Sequence, residues 1–245
     1  METIRARMTL TLYLHPLASF CHKVLIALYE NAIPFEPVVV DFGDPRSTAA
    51  MMARWPASRI PVLHDDAADR AIPETSIIIE YLDEHYPGPA RLLPEDRERR
   101  LEARLWDRFF DLHVSVPMQK IVTDRLRPEA DRDRPGVDDA RRTLEVSYAM
   151  IETQLAGRAW AAGDTFTIAD CAAAPALFFA AIVHPFPAGH RNLAAYFERL
   201  IERPSFRRVL DEARPSFALF PYRDAIPERF LADPPAEPGH AHARP

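Results

Sequence analysis

The sequence predicts two parts: an α/β domain ordered βαβ then ββα around a mixed four-stranded sheet, followed by an all-helical domain. Three observations carry this. Residues 10–28, LTLYLHPLASFCHKVLIAL, read as a strand, a short loop and the start of a helix. Apolar runs from there to Tyr86 give strand, hairpin and helix in turn. Beyond Pro87-Gly88-Pro89 and Pro94 the period-two signal disappears, and apolar residues recur at helical spacing.

In chain order, Leu10, Leu12 and Leu14 alternate with Thr11 and Tyr13, the period of a strand. Pro16 stops the ladder, and the apolar run from Val24 to Tyr29 belongs to a helix that starts near Ser19. A helix N-terminus there aims unpaired N–H groups and the positive end of the dipole at whatever lies over Ser19 and Cys21, which suits an anion or a thiolate. Residues 35–40 form a second strand; a helix between two strands makes a right-handed βαβ unit with parallel strands. Pro34 and Pro37 put that strand at an edge. Residues 44–55 read as a short helix or irregular segment. The short apolar pieces 61–64 and 70–73 flank Asp65-Asp66-Ala67-Ala68-Asp69, a hairpin connection. Glu74-Thr75-Ser76 then opens a helix over 77–86.

The boundary falls in 88–94, between a first domain of residues 8–87 and a helical domain of residues 95–220. Leu101, Leu105, Phe109, Leu112 and Val116 recur at three- and four-residue spacing, and Pro117 is expected to kink that helix rather than end it. Residues 125–138 form a charged connection whose charges read as solvated, and a second long helix over 137–155 returns antiparallel. The best capped helix begins at Thr167: Asp170 is its capping-box partner, and Phe166 is placed to staple onto Cys171. That explains Asp170 structurally. Pro175 bends the nearly all-apolar helix beyond it, in which Cys171 reads as an inert buried thiol. Helices over 192–202 and 204–213 complete the domain. Residues 221–245 form a Pro-rich, apolar-poor tail whose end, ADPPAEPGHAHARP, is expected to be disordered.

The totals narrow the class. With 245 residues, 48% hydrophobic and 27% charged, the chain has the make-up of a soluble globular protein. No apolar run is long enough to span a membrane, and METIRARMTL reads as a short leader or an upstream start before Met8 rather than a secretion signal. Two well-separated cysteines, Cys21 and Cys171, make no disulfide framework and fit a reducing cytoplasm. A formal charge of −6, spread along the chain, argues against nucleic acid as a partner. No metal site is expected, since His240 and His242 stand without other ligands.

A βαβ-ββα domain, a proline-marked linker and a helical domain together resemble the glutathione transferase superfamily, whose first domain is thioredoxin-like. Three motifs carry the resemblance, which spans residues 8 to 220. Ile60-Pro61-Val62-Leu63 is similar to the family's cis-proline at the head of the third strand. By that likeness Ile60 pairs through its backbone with the cysteinyl part of glutathione, and Arg59 stands near the glycine end. Glu74-Thr75-Ser76, opening a helix, is similar to the family's acid-or-amide and serine pattern: Glu74 would accept the γ-glutamyl ammonium, and Thr75 would hold the carboxylate with its hydroxyl and N–H. Taken alone, these residues are a plain N-cap. The third motif is 10–28, matched imperfectly. Relatives place a serine or cysteine before a Pro-Phe pair, and alignment on Phe20 and Lys23-Val24 puts Ala18 at that reactive position and Ser19 at the proline place.

The resemblance implies a bacterial cytosolic enzyme of the serine or cysteine type rather than the tyrosine type. It would bind glutathione as co-substrate, stabilise its thiolate and conjugate it to a small electrophile in a detoxifying role, as a homodimer. Lowering a thiol pKa of ~8.5 by about two units takes ~2.7 kcal/mol. A helix N-terminus supplies about 0.3–1 kcal/mol, up to ~2 when partly buried, and a hydrogen bond to a charged group roughly 1.5–3. A donor besides the helix is therefore expected: Ser19 first, Cys21 second. Phe109, His113 and Met118 are candidate walls for the electrophile. The alternatives are a non-catalytic, stress-associated relative that keeps the glutathione site, for which Ala18 speaks, and a glutathione-dependent reductase or isomerase using Cys21 or Ser19.

Overall fold

The computed structural model describes residues 10–232. The leader before Met8 and the predicted disordered end, with His240 and His242, lie outside the described residues apart from Ala232.

Leucines 10, 12 and 14 turn inward from strand β1 (Leu10–Leu14) while Thr11 and Tyr13 are half-buried, so the alternation read from sequence is the pleat itself. Helix α1 (Ser19–Glu30) crosses to strand β2 (Phe35–Val39), which pairs parallel with β1 in the register Leu10↔Phe35 to Leu14↔Val39. β1 also pairs antiparallel with β3 (Val62–Asp65), and β3 with β4 (Arg70–Pro73), giving the order β2-β1-β3-β4. β2 is an edge strand, where Pro37 removes no ladder hydrogen bond that a neighbour needs. Residues 45–54 form helix α2 (Pro45–Arg54), capped by Asp44 accepting from the Arg46 N–H, and α3 (Thr75–His85) closes the domain.

Helices α4 (Arg97–Phe109) and α5 (Val116–Arg125) are joined by a π-helical stretch, Phe110–Ser115. The helical path survives Pro117 for a local reason. Proline lacks the N–H that would bond the His113 carbonyl one turn back, and Ser147 Oγ stands within donor reach of that carbonyl, at 2.9 Å, sharing its proton with the Thr143 carbonyl at 2.7 Å. The π stretch adds a residue to the turn and rotates the helix beyond it. Leu101, Leu105, Leu112 and Val116 are 47–63% exposed, the last two along the cavity described below, while Ala103, Trp106, Phe110 and Val114 form the core face.

α6 (Arg134–Gln154) returns against α5. The charged connection before it is more structured than solvated charges imply: Asp133 accepts from the Gly136 N–H at 3.0 Å and pairs with Lys120 at 2.5 Å. α7 (Ile168–Val183) is the central element, buried along nearly its whole length. Its capping box is complete, and Asp170 also accepts from the Ala161 N–H and the Tyr196 hydroxyl, which makes it a structural acid. α8 (Arg191–Glu202) and α9 (Pro204–Ala213) come next. α1 packs against α3, α7 and α9, so the helix that carries the candidate chemistry lies between the two parts of the molecule. The stretch after Pro221 is folded in its first part: Phe230 is buried 5.0 Å from the Phe178 ring. One aromatic anchor outweighs the apolar-poor composition around it. Among the described residues no helix is long and apolar enough to cross a membrane.

His22, fully buried on α1, gives the fold a pH dependence. Its Nε2 bonds the Pro16 carbonyl at 2.6 Å and its ring faces Phe179. Burial lowers its pKa from 6.5 to about 4. Between those values the unfolded chain binds the proton and the folded one does not, so stability is complete above pH 6.5 and declines as pH falls towards 4. From that gap the decline amounts to about 3 kcal/mol at most. Urea unfolding at pH 7 and pH 5 is expected to show a fall that His22→Gln reduces.

Candidate active site

A cavity of about 1040 Å³ is walled by both domains. One side is the loop and first turn of α1. Pro16 sits in a turn closed by the Ala18 N–H donating to the His15 carbonyl at 3.0 Å. Ala18 is the N-cap of α1, extended in backbone and with no side chain to cap it, so the free N–H groups of the first turn are left for other partners. Ser19, the first helical residue, is 3% exposed, and its Oγ accepts from the Gln119 amide of α5 at 3.5 Å.

The second side is the approach to β3. The Ile60–Pro61 peptide is cis, as the resemblance implied, and Arg59, Ile60 and Pro61 all line the cavity, Arg59 in an exposed position. The third is the start of α3. Glu74 holds φ at 68°, the left-handed region that costs a residue with a Cβ on the order of 1–3 kcal/mol. It makes no side-chain capping bond, so the plain N-cap explanation of Glu74 fails: its carboxylate is uncommitted at the cavity rim. Thr75, buried at the first helical position, lines the cavity beside it. The structure thus brings Ser19, Arg59, Ile60, Pro61, Glu74 and Thr75 together.

It does not bring Cys21 there. Two residues on from Ser19 is about 200° round a helix, so when Ser19 faces the cavity Cys21 faces the core. Its thiol is fully buried, accepts from the His15 N–H at 3.5 Å, and is pushed up to about 12 by burial. A mixed-disulfide role needs an accessible thiolate, and this site supplies none. Cys171 is likewise buried, with its pKa raised by burial. Of the expected electrophile walls, Met118 lines the cavity, whereas Phe109 packs at a tilt against Trp106 in the core and His113 is exposed. Phe109 lies before the π stretch, on the core face of α4 with Ala103 and Trp106.

Sequence reasoning missed the cluster beneath the cavity. Lys23 of α1, 1% exposed, places Nζ 2.6 Å from Asp107, 2.8 Å from Asp111 and 3.1 Å from Ser76 Oγ. The Ser76 and Asp111 contacts are hydrogen bonds, whereas the Asp107 contact is an ion pair in which Oδ1 has no hydrogen-bond partner among the described residues. Ser76 Oγ in turn donates to Asp107 at 2.6 Å, and Arg108 reaches Asp111 at 3.3 Å. Burial raises the Asp111 pKa against the pull of Lys23. The available signal was local: Asp107 and Asp111 sit one turn apart among Trp106, Phe109 and Phe110, and Lys23 stands in an apolar run. Acids and a lysine on apolar faces call for partners. One part of the cavity is apolar, walled by Leu112, Val116, Met118, Val122, Phe179 and Phe220, while Glu80, Arg104, Gln119 and Thr123 also line it. Among the described residues no group of His, Cys, Asp and Glu is arranged to hold a metal.

Comparison with known proteins agrees with this geometry. Residues 12–90 match the family "Glutathione S-transferase, N-terminal domain" and residues 113–204 "Glutathione S-transferase, C-terminal domain". Glutathione S-transferase GstB of Escherichia coli (strain K12) is 30% identical over 77% of this chain and 91% of its own. A stringent starvation protein A homolog of Coxiella burnetii is 28% identical over 84% of this chain and 94% of its own. Among solved structures, a glutathione S-transferase from Methylobacterium radiotolerans in complex with glutathione sulfonate is 31% identical, with a TM-score of 0.71 over 82% of this chain and 94% of that one. A thioredoxin-like sheet domain, a helical domain and full-length relatives of this kind lead to one conclusion: the chain belongs to the glutathione S-transferase family.

Proposed function

We propose that this protein is a serine-type glutathione transferase, which binds glutathione along the polar rim of the cavity and conjugates it to a small electrophile held against the apolar half. The observation that carries the reading is the convergence on one cavity of two helix N-termini, Ser19 on α1 and Thr75 on α3, with the backbone of Ile60 between them. Glu74 accepts the γ-glutamyl ammonium, Thr75 the neighbouring carboxylate, Ile60 pairs with the cysteinyl backbone, and Arg59 serves the glycine carboxylate. The thiol then lies over Ser19. Its proton leaves to solvent; the thiolate, held by the helix end and the Ser19 hydroxyl, attacks the electrophilic carbon, and the new S–C bond forms as the leaving group departs or the acceptor bond takes up the electron pair. Because Gln119 donates to Ser19 Oγ, the serine's own proton is free to point at sulfur.

The test is calorimetric titration with glutathione, together with thiolate absorbance followed against pH. Binding with an acid-shifted thiol, and turnover on a panel of electrophiles, supports the transferase. Binding without the shift favours a non-catalytic, stress-associated role, the reading to which Ala18 and the likeness to the stringent starvation protein A homolog lend support. A cytoplasmic, detoxifying protein fits two unpaired buried cysteines and an apolar acceptor half.

A homodimer belongs to the same proposal. Leu101 and Leu105, one turn apart on α4, are 63% and 62% exposed and offer apolar surface for a contact between copies. Leu101→Glu with Leu105→Glu is expected to convert the dimer to monomer in light scattering; an unchanged mass would remove this face from the interface.

A further inference from the structure

We propose that His15 is a second hydrogen-bond donor to the glutathione sulfur, acting through Nε2–H beside the Ser19 hydroxyl; this rests on the glutathione reading of the cavity. The tautomer is fixed by geometry. The Leu17 N–H donates to His15 Nδ1 at 3.2 Å, so Nδ1 carries a lone pair and the proton of the neutral ring sits on Nε2. Nε2 has no hydrogen-bond partner among the described residues, and His15 lines the cavity together with Ala18 and Ser19. The turn that closes through the His15 carbonyl brings that residue to the entrance to α1, three residues ahead of the N-cap Ala18.

Ala18 offers only a methyl group at the N-cap, so Ser19 has no donor beside it from that residue, and His15 is the polar side chain of the turn that leads to it. The ring stays neutral because it is partly buried against Phe42, with Asp41 across from it pulling more weakly the other way; the nearest other imidazole, His22, is buried and neutral. His15 therefore holds its proton before and after the thiol ionises. It is a donor and not the base, and the thiol proton passes to solvent.

Two substitutions separate this role from a structural one. In His15→Asn the amide oxygen replaces Nδ1 and keeps the Leu17 bond, but nothing stands at Nε2. In His15→Gln an amide N–H reaches the Nε2 position, but the Leu17 acceptor is gone. The measurement is thiolate absorbance of bound glutathione against pH, with S-methylglutathione affinity by calorimetry as the control for the rim contacts. His15→Asn is expected to raise the bound thiol pKa by about one unit, tenfold less thiolate below the pKa, and to lower kcat with S-methylglutathione affinity unchanged. His15→Gln restores most of both. A wild-type titration curve in His15→Asn, or loss in His15→Gln alone, overturns the donor role and leaves only the turn. Failure of S-methylglutathione to bind the unmodified protein overturns the glutathione reading and this proposal with it.

Discussion

Lys23→Met is expected to lower the unfolding free energy by about 3–5 kcal/mol. The methionine fills the volume, but it leaves Asp107 and Asp111 buried with their counter-charge removed, and breaking one side of a buried ion cluster costs on the order of 3–5 kcal/mol. Arg108, about half exposed and 3.3 Å from Asp111, compensates only one of the two acids. Denaturant unfolding checks the value. The triple variant Lys23→Met, Asp107→Asn, Asp111→Asn should recover much of the loss, since removing all the charges together is far cheaper than orphaning two. A methionine variant as stable as the parent would mean that the cluster is solvated. The same change is expected to weaken glutathione binding, because Ser76 holds the first turn of α3 to Asp107 and Thr75 is its neighbour.

Ser19→Ala is expected to reduce kcat/KM by about 10²–10³, the range found when one preorganised donor to a developing anion is removed. Stability should hardly change, as the hydroxyl meets only the long Gln119 contact. The loss should fall on kcat and on the pH at which bound thiol ionises, with glutathione affinity retained through Ile60, Glu74 and Thr75. Steady-state kinetics over pH with a thiolate titration distinguishes this from a packing defect. Cys21→Ala, by contrast, removes a core sulfur and is expected to act on stability alone.

What was legible in the sequence was local in the chain. The strand, turn and helix of 10–28, the proline after Ile60 and the start of α3 each declare themselves within a few residues, because backbone geometry and capping chemistry are set by near neighbours. Cys21 stands beside Ser19 as a candidate in the sequence, although a helix starting at Ser19 turns the two about 200° apart, and the structure places Cys21 in the core. Two things were not legible. Lys23 meets Asp111 across a sequence separation of 88, and no local pattern specifies which buried charges find each other. The other is which face of α4 and the π stretch meets the cavity: helical spacing alone does not say it, and Phe109 is buried in the core while His113 is exposed away from the cavity lining.

The position of α1 has a further consequence for how the protein is made. Its outer face is covered by α7 and α9, which end at Val183 and Ala213. Synthesis proceeds at about 5–20 residues per second, so the nascent first domain waits on the order of ten seconds beside the ribosome with an apolar helix uncovered. During that interval chaperones compete with aggregation for the surface that later supports Ser19.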